Sequence, residues 1–173
     1  MAVENIIDAF YNACGRGDLA NVQRYFCADN RELNEQGMYS AISQQHLNVA
    51  AFLLPHMKRP LTSTFHRKVV DTNNTQLFQL FYNAELDDNK QRWLELGMVA
   101  AAHSNCRDII DQCFDRVYTP EWWDNFRYTF WGGKVGNMRL GFEYLKEKVT
   151  TVQQREMLEQ VVCEYGKPQT RKL

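Results

Sequence analysis

The chain has 173 residues, of which 45% are hydrophobic and 13% aromatic, a composition that can build a core and excludes a disordered protein. Its 20 Lys and Arg residues balance 21 Asp and Glu residues, so no overall positive field points to nucleic acid. The chain has no apolar run near the roughly 18 residues of a transmembrane helix and no secretory signal at its start, so no membrane association is expected.

A short pattern recurs five times along the chain. Each copy opens with two small residues, passes through a polar turn, and continues into apolar residues at the i, i+3, i+4 spacing of a helix. The copies open at Ala13, Ala41, Val69, Ala101 and Gly132. They follow one another at intervals of about 28 to 32 residues, a period typical of stacked helical hairpins.

The turn of each copy carries residues suited to ending one helix and starting the next. Gly and Asn tolerate the left-handed conformation that terminates a helix, and they occur at Gly17, Asn73, Asn105 and Gly136. Asp and Asn side chains can cap the amide groups of the following helix, and they occur at Asp18, Asn74 and Asn137.

In chain order the pattern predicts helices over residues 3–15, 19–27, 37–44, 47–57, 62–71, 75–86, 88–102, 106–117, a helix starting at 119–121, and 137–148. Thr151 and Gln154 form a capping box that opens a final helix over 151–165, followed by a tail over 166–173. The side chains predicted to be buried by the repeat phase are Phe26, Leu54, Phe81, Ile110 and Leu145.

The fourth copy, AAHSNCRDIIDQCF at residues 101–114, resembles the ankyrin repeat nearly position for position. Residues 28–34 resemble the segment that follows the second helix of that repeat. The resemblance covers roughly residues 5–146, but the Thr-Pro-Leu-His opening of the family is absent from every copy. Several units are also shorter than the usual length of about 33 residues, so a generic helical-hairpin solenoid is the alternative.

The resemblance implies an all-α solenoid of stacked helix-turn-helix repeats that forms a single domain over residues 1–173. Its units would cover about 5–34, 35–60, 61–87, 88–118 and 119–149, with residues 151–165 as a C-terminal capping helix.

The same resemblance implies a non-enzymatic protein that binds a larger protein target as an adaptor or an inhibitor. One form of this hypothesis is a viral or bacterial protein that blocks a host factor. Ankyrin-like arrays bind partners through the concave face of their first helices and connecting loops. In this chain the variable residues at the ends of those helices would line that face: Arg16, Gln44, Thr72, His103, Ser104 and Lys134.

Two adjacent tryptophans, Trp122 and Trp123, are the most distinctive feature outside the repeat. Neighbouring residues on a helix point about 100° apart, so one ring can enter the core while the other is partly exposed. Either both rings bury the junction between the fourth and fifth units, or one of them anchors a partner.

Residues that could carry other chemistry show no complete motif. The histidines His46, His56, His66 and His103 lack metal-ligand spacing, and residues 132–136 lack the hydroxyl of a phosphate loop. We therefore predict no metal and no cofactor. A helical scaffold with an enzymatic or small-ligand site is the second hypothesis, and a nucleic-acid-binding protein, against which the neutral charge weighs, is the third.

Five cysteines, an odd number without paired spacing, predict a reduced protein in the cytoplasm. Cys14 and Cys113 fall on predicted core positions, where cysteine acts as a small apolar residue.

Overall fold

The computed structural model describes residues 3–58, 61, 63–117 and 135–152, together with residues 155, 156, 158, 159 and 163. All regular structure in these ranges is helical, which confirms the all-α prediction. The helices are α1 Val3–Arg16, α2 Leu19–Tyr25, α3 Arg31–Ser43, α4 Leu47–Leu53, α5 Ser63–Asp71, α6 Thr75–Ala84, α7 Asp87–Ser104, α8 Arg107–Val117 and α9 Val135–Lys148. A 3-10 turn, Leu54–His56, follows α4.

The chain divides into two compact units, Met1–Trp93 and Leu94–Leu173, and the boundary falls inside α7. The units are described separately below, and the single domain over residues 1–173 stays a prediction. No helix in the described ranges has the length and apolar character needed to cross a lipid bilayer.

The turn between the helices of a pair follows the predicted chemistry in three cases. Gly17, Asn73 and Asn105 adopt the left-handed conformation, with φ of 71°, 51° and 56°. Gln45 adopts it as well, with φ of 59°, although a long polar side chain does not signal this conformation in sequence. The fifth predicted turn is wrong, because α9 begins at Val135 and includes Gly136.

The same backbone hydrogen bond closes three of the turns and ends on the residue that opens each copy of the pattern. The amide of Asp18 donates to the carbonyl oxygen of Ala13 at 3.0 Å, and the amide of His46 donates to that of Ala41 at 2.8 Å. The amide of Cys106 donates in the same way to the carbonyl oxygen of Ala101 at 2.8 Å. This bond satisfies an otherwise free carbonyl at the end of a helix.

Side-chain caps begin the second helices α2 and α6. The carboxylate of Asp18 accepts a hydrogen bond from the amide of Asn21 at 3.2 Å. The amide oxygen of Asn74 accepts from the amides of Gln76 and Leu77 at 3.0 and 3.1 Å. Both caps agree with the sequence prediction, whereas the predicted cap Asn137 lies inside α9.

Two other predicted boundaries are wrong. Helix α3 begins at Arg31, well before the predicted residue 37, because Asn30 caps it by accepting from the amide of Leu33 at 3.1 Å. Residues 28–30 therefore follow α2, whereas residues 31–34 already form the first turn of α3. Helix α7 begins at Asp87, one residue before the predicted start at residue 88.

In the first unit, the two helices of each hairpin from α1 to α6 contact each other, and matching helices of successive hairpins also touch. Among first helices, α1 contacts α3, and α3 contacts α5. Among second helices, α2 contacts α4, and α4 contacts α6. Gly37 allows the close approach of α3 to α1, since a Cβ atom there would lie 2.6 Å from Cε1 of Phe10 and 2.9 Å from Sγ of Cys14.

Hydrogen bonds also connect successive turns in this unit. Nε2 of His46 lies 3.0 Å from the carbonyl oxygen of Gly15, and Nδ2 of Asn48 donates to the carbonyl oxygen of Gly17 at 3.2 Å. Nδ2 of Asn74 donates to Oε1 of Gln45 at 3.0 Å. These bonds fix the register of neighbouring hairpins, and they give His46 a structural role.

Four of the five predicted core side chains are buried: Leu54, Phe81, Ile110 and Leu145. Phe26 is only half-buried, so that prediction is wrong. Helix α2 ends at Tyr25, and Phe26 follows in an extended conformation with φ of −62° and ψ of 134°. Its ring therefore leaves the helical phase and lies 5.2 Å from that of Phe52, edge to face.

His66 of α5 lies in the aromatic core near the end of the first unit and is 4% exposed. Its ring lies 4.2 Å from that of Trp93, and its Nε2 lies 2.8 Å from the carbonyl oxygen of Trp93. Burial lowers the pKa of His66, and the hydrogen bond to Trp93 raises it by less. The resulting pKa falls from 6.5 to about 4. The folded protein therefore holds this imidazole neutral.

This burial predicts a loss of stability in mild acid. Between pH 6.5 and pH 4 the unfolded chain binds a proton at His66 that the folded chain does not, so stability falls as pH falls. The free energy of unfolding should drop by about 2 kcal/mol from this residue between pH 7 and pH 5. Denaturant titrations of the unmodified protein and of His66→Gln at both pH values check this. The drop in the free energy of unfolding should be smaller in the variant by the contribution of His66. An equally reduced drop in the control variant His46→Gln would contradict the assignment of the pH dependence to His66.

In the second unit, residues 94–104 of α7 pack with α8 and α9 around an apolar core. The fully buried members include Met98, Ala101, Ile110, Cys113, Phe142 and Leu145. Gly141 sets the spacing between α9 and α7, because a Cβ atom there would overlap the carbonyl oxygen of Ala102 and lie 2.8 Å from its carbonyl carbon.

Candidate binding face on the first helices

Helices α1, α3 and α5 share a surface that faces away from their packed sides. On α1, Tyr11 is 48% exposed, whereas Phe10, Ala13 and Cys14 are buried. On α5, Thr64 and Lys68 are exposed, whereas Phe65 and His66 on the other side of the helix are buried. Tyr39 of α3 lies half-buried between these two helices.

A groove of about 360 Å³ crosses this surface, and we call it the three-helix groove. All three helices contribute to its lining, which consists of Tyr11, Tyr39, Ser40, Ser43, Gln44, Thr64 and Lys68. Two phenol rings, three hydroxyls, one amide and one ammonium group therefore converge on one depression of the first unit. These groups can donate and accept hydrogen bonds while the rings offer apolar area.

The central side chains of the groove are held in place by packing. The ring of Tyr39 stacks on that of Phe65, with centroids 4.3 Å apart and planes 13° apart, and Phe65 is 2% exposed. Oγ of Ser43 donates to the carbonyl oxygen of Tyr39 at 2.8 Å. A Cβ atom on Gly15 would lie 2.9 Å from Oγ of Ser40, so α1 lies close to α3 here. The groove is thus preorganised on rigid helices.

A second, more open hollow of about 460 Å³ adjoins the groove on α5, lined by Thr64, Arg67, Lys68 and Asp71. Arg67 pairs with Asp71 at 3.1 Å, and both side chains are well exposed. Lys68 lines both hollows and forms no ion pair with any residue that the structure describes. Its ammonium group therefore has no ion-pair partner in the three-helix groove.

The predicted binding residues of the first unit differ in their availability. Gln44 lines the three-helix groove, and Arg16 is exposed at the end of α1, where its Nε donates to the carbonyl oxygen of Asn12 at 3.2 Å. Thr72 is half-buried, and its hydroxyl donates to the carbonyl oxygen of Val69 at 2.7 Å. Thr72 is therefore engaged in its own turn.

Of the predicted residues in the second unit, Ser104 is half-buried and His103 is 6% exposed. The expectation of an exposed side chain at His103 is wrong. Helix α7 extends to Ser104, so His103 remains on the buried side of the helix, with its ring 6.5 Å from that of Phe142. Lys134, Trp122 and Trp123 lie outside the described residues.

Sequence reasoning missed most of the groove lining, including Tyr11, Tyr39, Ser40, Thr64 and Lys68. A usable signal was present, since residues four apart on a helix share a face. Ser40 and Lys68 lie four residues before the predicted binding residues Gln44 and Thr72. The prediction stopped at the helix ends and did not follow the face back along each helix.

The second unit carries a polar cluster between α8 and α9. The hydroxyl of Tyr144 donates to both carboxylate oxygens of Asp111, at 2.9 and 3.0 Å, and Nζ of Lys148 lies 2.7 Å from Oδ1 of Asp111. Desolvation and the bond to Asp111 raise the pKa of Tyr144, and Asp111 raises the pKa of Lys148. These groups satisfy one another and hold the two helices together.

The groups that could carry metal or thiol chemistry are dispersed. Within the described ranges, no three His, Cys, Asp or Glu side chains lie close enough to hold a metal ion. All five cysteines are free, and Cys14, Cys106 and Cys113 are buried. Burial raises the pKa of Cys14 and of Cys113 to about 12, so both are inert thiols at neutral pH. Cys14 and Cys113 occupy the core as predicted.

Comparison of the chain with protein-family models, with curated proteins and with solved structures gives no match in any of the three.

Proposed function

We propose that this protein is a non-enzymatic binding module that recognises another protein through the three-helix groove and acts as an adaptor or an inhibitor. The observation that carries the proposal is the convergence of Tyr11, Tyr39 and Gln44 on one groove built by successive first helices. The sequence resemblance to ankyrin repeats favours the same face, because first helices line the binding surface in that family.

We further propose an ankyrin-like stack for the repeats. Like-with-like contacts of first helices and of second helices support this arrangement in the first unit. The recurrent bond from the turn to the opening residue of the copy supports it as well, at Ala13, Ala41 and Ala101. Each hairpin alone leaves an apolar face uncovered, and stacking on a neighbour covers it.

Tyrosine makes this groove suited to a protein partner. A phenol ring offers a large contact area at a low cost in side-chain entropy, and tyrosine is enriched among residues that dominate binding energy. The groove accommodates only a few side chains of a partner, whereas a standard interface buries about 800 Å² on each side. A partner would therefore also cover the surrounding surface, including Arg16 at the end of α1.

The proposal predicts that Tyr11→Ala weakens binding of the native partner by about 2 kcal/mol, roughly thirtyfold in the dissociation constant. A partner captured from the source cells and identified by mass spectrometry would be titrated calorimetrically against both forms. The matched control is Tyr25→Ala, which removes a half-exposed tyrosine from α2, outside the groove. Loss of affinity in the control alone would place the interface on the second helices and refute the proposed face.

A further inference from the structure

The two ends of the three-helix groove differ in chemistry. At the α1 end, Tyr11 lines the groove and is 48% exposed, and Ile7, which lies one turn earlier on α1 outside the lining, is 39% exposed. The two residues are four apart and share one face of the helix, so they form a small apolar surface. At the α5 end, the exposed side chains are Thr64 and Lys68. The groove thus runs from an apolar end to a cationic end.

The charge at the cationic end lacks a counter-charge within the groove. Its described lining contains no carboxylate, and Lys68 forms no ion pair with any described residue. The acid nearest in sequence on the same face, Asp71, is paired with Arg67. A carboxylate brought by a partner would therefore meet an uncompensated ammonium group, which favours association and sets its orientation.

The middle of the groove offers hydrogen-bonding groups beside the ring of Tyr39. Ser40 and Ser43 of α3 line it, together with Gln44, which caps the C-terminal end of that helix. An extended peptide has free backbone amide and carbonyl groups that such side chains can satisfy, whereas a helical peptide has already paired most of its own. The lining of α3 therefore suits an extended segment.

The helix packing fixes the length of that segment. Because α1 contacts α3 and α3 contacts α5, the two ends of the groove lie two helix spacings apart. Packed helices lie 8–10 Å apart, so the distance is about 16–20 Å. An extended chain rises about 3.3 Å per residue and crosses it in about five or six residues.

From these observations we infer that the partner presents an extended acidic segment to the three-helix groove. Its aliphatic or aromatic side chain lies against Ile7 and Tyr11, and its carboxylate pairs with Lys68 about five or six residues away. This inference rests on the proposed function and specifies the chemistry of the partner.

The test uses a display library of random twelve-residue peptides selected on the full chain. Enriched peptides should combine an acid with an apolar residue about five or six positions away. Their affinity should fall at least tenfold on Lys68→Glu and on Tyr11→Ser. Replacing the acid of the peptide by Lys should restore binding to Lys68→Glu, which a merely structural role of Lys68 would not allow.

Two variants serve as matched controls and should bind as the unmodified protein does. Lys58→Glu reverses an exposed lysine that does not line the groove, and Tyr25→Ser removes a tyrosine of α2. Equal melting temperatures would show that all four variants fold.

Failure to enrich any peptide, or enrichment without acids, overturns the inference. Peptide affinity that Lys68→Glu does not change also overturns the inference. The proposed function is tested separately by the native partner. A partner whose binding depends on Tyr11 but not on Lys68 would leave the function standing and remove only the acidic segment.

Discussion

Replacing Phe81 by alanine should lower the free energy of unfolding by about 3–5 kcal/mol. The side chain is completely buried in α6, and its ring stacks on that of Trp93 with centroids 6.2 Å apart. The substitution deletes the buried ring together with its contacts. It leaves a cavity beside Trp93 that the surrounding helices can fill only in part. Denaturant titration followed by circular dichroism measures the loss.

The matched control for this change is Phe26→Ala. Phe26 is half-buried at the end of α2, so the same chemical deletion should cost distinctly less, about 1–2 kcal/mol. Equal losses at the two positions would mean that burial does not distinguish them. A loss below about 1 kcal/mol at Phe81 would mean that the phase of α6 is wrong.

We expect Gly141→Ala to destabilise the second unit by about 3 kcal/mol or more. Alanine is the better helix former by about 1 kcal/mol, so helix propensity alone predicts a gain. The new Cβ atom would, however, overlap the backbone carbonyl of Ala102, which has no rotamer to change. Helix α9 would have to move away from α7, and the packing of Phe142 would be lost with it.

The contrasting variant is Gly37→Ala, also at a buried helical glycine. There the new Cβ atom would meet side-chain atoms, Cε1 of Phe10 and Sγ of Cys14, which can shift. We therefore expect a smaller loss at Gly37 than at Gly141, measured as the change in melting temperature. A Gly141→Ala protein as stable as the unmodified one would show that α7 and α9 do not approach as closely as the structure places them.

The repeat could be predicted from sequence because its signals are local. The left-handed turns at Gly17 and Asn73, and the caps at Asp18 and Asn74, depend on residues within one turn of the backbone. Gln45 occupies the same backbone position without a sequence signal, and its side chain accepts a hydrogen bond from Asn74 of the next hairpin.

Burial and the groove could not be predicted in the same way. His103 follows two alanines as the repeat requires, but its exposure depends on which side of α7 meets Phe142. Tyr11, Tyr39 and Lys68 are distant in sequence and come together only when three helices pack. The start of α3 was missed because family resemblance assigned residues 28–34 to a connection, although Asn30 carried an ordinary cap signal.

The like-with-like contacts of the first unit have a consequence for how the chain folds. Its principal helix contacts join elements that are adjacent or next but one along the chain, so little loop entropy is lost before a contact forms. Chains with such a low contact order reach the native state in microseconds to milliseconds. Any of the hairpins α1–α2, α3–α4 or α5–α6 can nucleate, and the others can add to it from either side.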